Sequence, residues 1–204
     1  MRLALFDFDG TLSTADSMPA FLRHNLSAGM LTKGLFRWVI SCAKLLVTGE
    51  FSRDSAKSAL LFACLKSQTP EALATSAAAF ADQWLPQHLN PHTQARLRAH
   101  RAEGDRVVVV SAAPDIWMHA ICQALGVECI CTEMARDAAG YLQPTFKGRN
   151  CRGAEKVNRI RAVFSLNDFE EIIAYGNSSG DREMLELAHE AWFCKKNGQL
   201  IRLK

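Results

Sequence analysis

Leu3-Ala4-Leu5-Phe6-Asp7-Phe8-Asp9-Gly10-Thr11-Leu12 is the stretch on which the reading of the whole chain turns. Its apolar start is unbroken, the pattern of a short strand covered on both faces. A strand is expected over residues 2–8, closed by the turn Asp9-Gly10-Thr11. Asp7 and Asp9 are two apart, so in extended chain both side chains leave the same face. Turn chemistry accounts for Asp9 beside Gly10. It does not account for Asp7, which stands between Phe6 and Phe8. A carboxylate there is costly to bury unless a metal or hydrogen-bond donors compensate it.

Outward from this strand the pattern changes twice. Helical periodicity covers 18–26, 31–47, 53–66 and 70–88, broken at Gly29, Gly49-Glu50 and Thr69-Pro70. Strand and helix then alternate. A helix over 92–103 precedes the run Val107-Val108-Val109-Val110. A helix over 115–125 and a strand over 127–134 follow, and 141–146 returns as a hairpin. A helix over 153–164, a strand over 172–175, a helix over 181–189 and a last short strand over 191–194 complete the chain. This predicts an α/β fold: a Rossmann-like, doubly wound parallel sheet with an inserted helical block and a small β-hairpin. The expected boundaries are 1–15 and 90–204 for the core and 16–89 for a helical cap.

In an open parallel sheet, ligands bind beyond the carboxyl ends of the strands. Three such ends carry polar residues: Asp7 to Thr11, Ser111 after the four valines, and Gly176-Asn177-Ser178-Ser179-Gly180-Asp181. Phosphoryl transfer needs an in-line nucleophile, charge neutralisation and a proton donor for the leaving oxygen. Asp7 suits the nucleophile and Asp9 the acid, later the base. With Asp181 they make an oxygen-rich site for Mg²⁺.

Asp7-Phe8-Asp9-Gly10-Thr11-Leu12 resembles the first motif of the haloacid dehalogenase-like (HAD) superfamily. Ser111 resembles the second motif, Lys156 in Gly153-Ala154-Glu155-Lys156 the third, and Gly176 to Asp181 the fourth. Helices inserted between the first and second motifs resemble the C1-capped subgroup. That subgroup includes phosphoserine phosphatase and the bacterial phosphatidylglycerophosphatase C type. The resemblance implies phosphorylation of Asp7 and acid/base work by Asp9. It implies phosphate or substrate contacts by Ser111, Lys156, Thr11, Ala112 and Asp16, and Mg²⁺ held by Asp7, Asp9, Asn177 and Asp181. Asp16 is equally suited to cap the helix that follows it. Asn177 departs from the family, which usually has aspartate there; an amide oxygen ligates without bringing charge. The expected activity is hydrolysis of a phosphomonoester, either a small phosphometabolite or a lipid phosphate. A phosphotransferase or mutase with the same nucleophile, and a catalytically silent phospholigand sensor, are the alternatives.

Composition narrows the partners. The chain has 204 residues, 49% hydrophobic and 22% charged, enough to bury a core. A net charge of +3 without a basic arm argues against nucleic acid. Seven cysteines, an odd number, read as free thiols in a reducing compartment. Cys129 and Cys131 would share a strand face, but no second pair at finger-like spacing joins them, and the six histidines show no ligand pattern. Asp7 cuts the first apolar run too short for a signal peptide, so a cytoplasmic location is expected. On a helix over 31–47, Lys33, Arg37 and Lys44 fall within about 40° of one another. Leu31, Leu35, Trp38, Cys42, Leu45 and Leu46 lie opposite. This amphipathic pattern fits packing within the cap or peripheral contact with a membrane surface.

Overall fold

The computed structural model describes residues 1–204. Strand β1 (Leu3–Phe6) is followed by helices α1 (Ser17–Asn25), α2 (Ala28–Thr48), α3 (Arg53–Leu65), α4 (Pro70–His88) and α5 (Pro91–Ala102). Then come β2 (Arg106–Pro114), α6 (Asp115–Leu125), β3 (Glu128–Thr132), β4 (Met134–Arg136) and β5 (Leu142–Phe146). The chain ends with α7 (Ala154–Val163), β6 (Ile172–Gly176), α8 (Arg182–Leu187), β7 (Glu190–Cys194) and β8 (Leu200–Arg202).

Six strands form one sheet in the order β3-β2-β1-β6-β7-β8, and β4 and β5 form a separate antiparallel hairpin. β1 pairs in parallel with β2 and β6, so the apolar run at the N-terminus sits mid-sheet. The sheet is parallel except for β8, which runs antiparallel to β7. The sequence reading ended at β7 and missed β8. Three residues after the tight turn Lys195–Gly198 carry too little alternation to register as a strand.

Each face of the sheet is covered, which is why the strands are apolar throughout. Ala4, Phe6, Val107 and Val109 face one cluster with residues of α1, α3, α4 and α6. Leu3, Leu5, Val108 and Val110 face the other, with Ile160 of α7 and Met184 and Leu185 of α8. Side chains of Asp16, Ser27, Ser52, Thr69 and Asn90 cap the N-termini of α1 to α5.

The inserted helices do not share one role. Phe21 of α1 and Phe80 of α4 belong to the same apolar cluster as Phe6 and Trp117. The pair α2–α3 lies further out. Gly34 lets these two helices approach closely, since a Cβ there would lie 2.7 Å from Cys64 Sγ. Trp38 Nε1 donates to the Ala56 carbonyl at 2.8 Å. Leu31, Trp38, Cys42 and Leu45 are half-buried, but Leu35 and Leu46, expected on the same packed side, are exposed. They continue into a second apolar row with Phe36, Val39, Ile40 and Val47. The helix is apolar around most of its circumference, so its packed face could not be told from its outer face by periodicity. No helix is long and apolar enough to cross a membrane.

Candidate active site

The centre of the site is one buried ammonium. Lys156, on the first turn of α7, donates at 2.7 Å to Asp7 Oδ1, at 2.7 Å to Asp181 Oδ1 and at 2.6 Å to the Val110 carbonyl. All three protons are committed. They tie together the ends of β1 and β2 and the loop after β6. Thr11 Oγ1 donates to Asp7 Oδ2 at 3.1 Å. Asp181 Oδ2 accepts from the backbone amides of Asn177 and Ser178 and from Ser178 Oγ. Burial disfavours the Lys156 charge, yet Asp7 and Asp181 hold its pKa above the ordinary lysine value. Burial also works against the Asp181 charge, but Lys156 and the loop amides bring its pKa below the ordinary value. Asp7 goes the other way: burial raises its pKa, with Lys156 and Thr11 pulling it back.

Asp9 is held differently. Its carboxylate accepts from the Ser17 amide at 2.8 Å and from Ser17 Oγ at 3.2 Å, at the start of α1. Ser17 Oγ in turn accepts from Trp117 Nε1 at 2.9 Å, which anchors the arrangement in α6. Burial and the nearby charge of Asp16 raise Asp9 to about 7. A carboxyl titrating there can both give and take a proton near neutrality. A third element reaches in from α3: Lys57 Nζ donates to the Ala112 carbonyl at 2.8 Å. Burial lowers its pKa, against the attraction of Asp9, Asp54 and Asp16.

The model of the haloacid dehalogenase-like hydrolase family matches residues 4–186, spanning every residue of this site. The chain belongs to that family. Protein CicA of Caulobacter vibrioides (strain NA1000 / CB15N) is 35% identical over 194 residues, covering 92% of this chain and 83% of the relative. Histidinol-phosphatase of Neisseria meningitidis serogroup C (strain 8013) is 23% identical over 204 residues, covering 93% and 88%. Among solved structures, a protein of unknown function from Bordetella pertussis Tohama I has a TM-score of 0.73 at 24% identity, covering 93% and 88%. A substrate-bound phosphoserine phosphatase has a TM-score of 0.60 at 18% identity, covering 93% and 83%. The two structures establish that the fold is shared.

Within this HAD-like hydrolase, the residues singled out from sequence converge, though several are used otherwise than expected. Thr11, expected at substrate, is fully buried; its hydroxyl orients Asp7 and its carbonyl accepts from Thr93 and Asn90. Ala112 gives its carbonyl to Lys57. Ser111 is buried within β2, three residues before its end, its Oγ accepting from the Ala113 amide at 3.0 Å. Asp16 caps α1, accepting from the Met18 amide at 3.0 Å, and stands close enough to Asp9 to raise it. Asp181, expected to ligate metal directly, has both oxygens engaged by Lys156 and its own loop. Ser17, Trp117 and Lys57 were not singled out. Ser17 and Lys57 lie in helices whose docking a sequence does not reveal, and Trp117 read as core.

The donor set fits a hard cation. Asn177 Nδ2 lies 3.2 Å from the Asp9 carbonyl oxygen. With the amide turned about, Oδ1 would face that carbonyl, so Asn177 would add an oxygen ligand to those of Asp7 and Asp9. Gly10 makes this approach feasible: its φ is +79°, and a Cβ there would fall 2.0 Å from Asn177 Nδ2.

Proposed function

We propose that this chain is a Mg²⁺-dependent phosphatase that hydrolyses a phosphomonoester through a phospho-aspartate on Asp7. The observation that carries this is the convergence of Asp7 and Asp181 on one ammonium, with Asp9, two residues on, titrating near 7. The Asp7 carboxylate attacks phosphorus, and the bond to the leaving oxygen breaks as Asp9 donates its proton to that oxygen. A water then attacks phosphorus while Asp9 takes back a proton. Orthophosphate leaves and the Asp7 carboxylate is restored. Mg²⁺, held by Asp7, the Asp9 carbonyl and Asn177, with Asp181 supporting the loop, would screen the phosphate charge from the incoming carboxylate. Ser111 and the fixed charge of Lys156 complete the phosphate environment.

In this reading the insertion over 16–89 acts as a C1-type cap, with α1 and α4 packed on the 1–15 and 90–204 core and α2–α3 further out, an arrangement that resembles the subgroup of phosphoserine phosphatase and phosphatidylglycerophosphatase C. The Neisseria relative, a histidinol-phosphatase, supports the same reaction class. Lys57 supplies the cap's cation to an acidic substrate. Turnover of p-nitrophenyl phosphate with Mg²⁺, and its loss in Asp9→Asn with secondary structure retained, tests the reading. Near-normal turnover in that variant would overturn the acid/base assignment.

The exposed row on α2 favours a lipid phosphate over a soluble one. Phe36 is 68% and Val47 89% exposed, with Val39 and Ile40 between them. Lys33, Arg37 and Lys44 border the row, and α2 has no acidic residue. A self-paired helix would have no anion to match these cations; an anionic bilayer would. The protein would then lie on the cytoplasmic face of a membrane, its cysteines all free. Flotation with anionic liposomes is expected to carry the protein, and Phe36→Ser with Val39→Ser to release it. Equal recovery with neutral and anionic vesicles would remove the lipid reading.

A further inference from the structure

A cluster of soft donors lies away from the Asp7 site. His119 on α6 and Cys129 and Cys131 on β3 bring one ligand atom each to within 4.8 Å of one another. Cys122, one helical turn from His119 on α6, is close enough to Cys129 to raise its pKa. The geometry follows from two periodicities. His119 and Cys122 are three apart on a helix and so share a face. Cys129 and Cys131 are two apart on a strand and so share the face that α6 covers. The second pair that the sequence did not reveal is therefore present, on a neighbouring element.

We propose that His119, Cys122, Cys129 and Cys131 form a binding site for a thiophilic cation, Zn²⁺ in the first instance, which ties α6 to the edge strand β3. Three sulfurs and one imidazole are a standard tetrahedral set for structural zinc. Bond lengths of about 2.3 Å to sulfur and about 2.0 Å to nitrogen put the ligand atoms roughly 3.5–3.8 Å apart. Shifts of about 1 Å bring the His119, Cys129 and Cys131 atoms from within 4.8 Å to those spacings, with Cys122 proposed as the fourth ligand from the same face of α6 as His119. His119 is exposed, Cys129 half-buried, and Cys122 and Cys131 buried, so an ion can enter from solvent and end partly enclosed. Neighbouring thiols and burial raise the pKa values of Cys129 and Cys131. Binding replaces each S–H proton by a metal–sulfur bond and releases that proton to solvent, with no change of redox state. Thiolate ligands select Zn²⁺ and exclude Mg²⁺, so the two sites would not compete for one ion. Cys131 pairs in register with Ser111, so the ion would brace the strand next to the candidate phosphate residue.

The test uses the full-length protein, chelator-treated, reduced and titrated with Zn²⁺ or Co²⁺ in the absence of Mg²⁺. One equivalent is expected to bind, with thiolate-to-cobalt charge-transfer bands and a thermal midpoint several degrees higher with Zn²⁺. His119→Ala, at an exposed position, is expected to fold normally and to weaken Zn²⁺ binding roughly a hundredfold. Cys129→Ser should abolish the charge-transfer bands, whereas Cys42→Ser should retain them. Co²⁺ binding without thiolate bands, binding undiminished in His119→Ala, or a Cys122–Cys129 disulfide in place of metal would each overturn the proposal.

Discussion

Beyond the ends of β1 and its neighbour β6, Asp7, Asp9, Asn177 and Asp181 carry side-chain oxygens; along β3, two strands from β1, Cys129 and Cys131 offer sulfur to the face that α6 covers. The oxygen cluster carries three carboxyl groups, and Lys156 bridges two of them, Asp7 and Asp181. The sulfur cluster has no such bridging ion pair; its donors are brought together by the packing of α6 on β3. Both sit in one sheet, a few residues apart in register. If both proposed sites hold, a single scaffold separates hard from soft cation chemistry by which donors leave the strand, not by where the strand lies.

The sharpest way to break this comparison is to remove the nucleophile. Asp7→Asn is expected to lower phosphomonoester turnover at least about ten-thousandfold, while Zn²⁺ stoichiometry at β3 is unchanged; steady-state rates and metal analysis check both halves. A Zn²⁺ stoichiometry that fell with turnover would mean that the two clusters are one system. Lys156→Met comes next. It leaves Asp7 and Asp181 buried without their shared cation, at an expected cost of about 3–5 kcal/mol in denaturant unfolding. A loss under about 1 kcal/mol would show that the oxygen cluster does not depend on that ammonium.

The pH profile gives a smaller effect with a definite sign. In the proposed role Asp9 must be protonated to act as the acid, and its pKa is raised to about 7, so kcat/KM should fall as pH rises through that value. Asp16→Asn removes a negative charge that raises Asp9. The alkaline limb should therefore move to lower pH, by roughly half a unit. A limb that stays or moves upward would separate Asp9 from the profile. The smallest change is expected from Asn177→Asp, which adds a charged oxygen facing the Asp9 carbonyl. Half-saturating Mg²⁺ should fall roughly tenfold; an equal or higher requirement would argue that Asn177 is not a ligand.

The oxygen cluster was legible because its members stand in short contiguous runs at strand ends. The apolar residues before Asp7 and the valines before Ser111 announced the strands, and a carboxylate between Phe6 and Phe8 had no packing explanation. The sulfur cluster was not legible. Its ligands come from a helix and a strand whose docking depends on tertiary packing, and each cysteine alone looks like a small buried apolar residue. Lys57 escaped for the same reason: it touches the Ala112 carbonyl across a gap of 55 positions. The reading of α2 located the helix but placed Leu35 and Leu46 on the packed side, because apolar residues surround most of that helix.

The chain of contacts from Phe21 to Asp9 has a consequence for how such a protein can change. Phe21 stacks on Trp117 with ring centroids 4.8 Å apart, the indole N–H holds Ser17, and Ser17 holds the carboxylate that titrates near 7. Oil-like packing and proton chemistry are therefore joined by a single side chain. A substitution that merely repacks this interior shifts the acid, so variants chosen for heat resistance at Phe21 or Trp117 will arrive with altered pH optima, and drift at these positions will be screened by turnover as well as by folding.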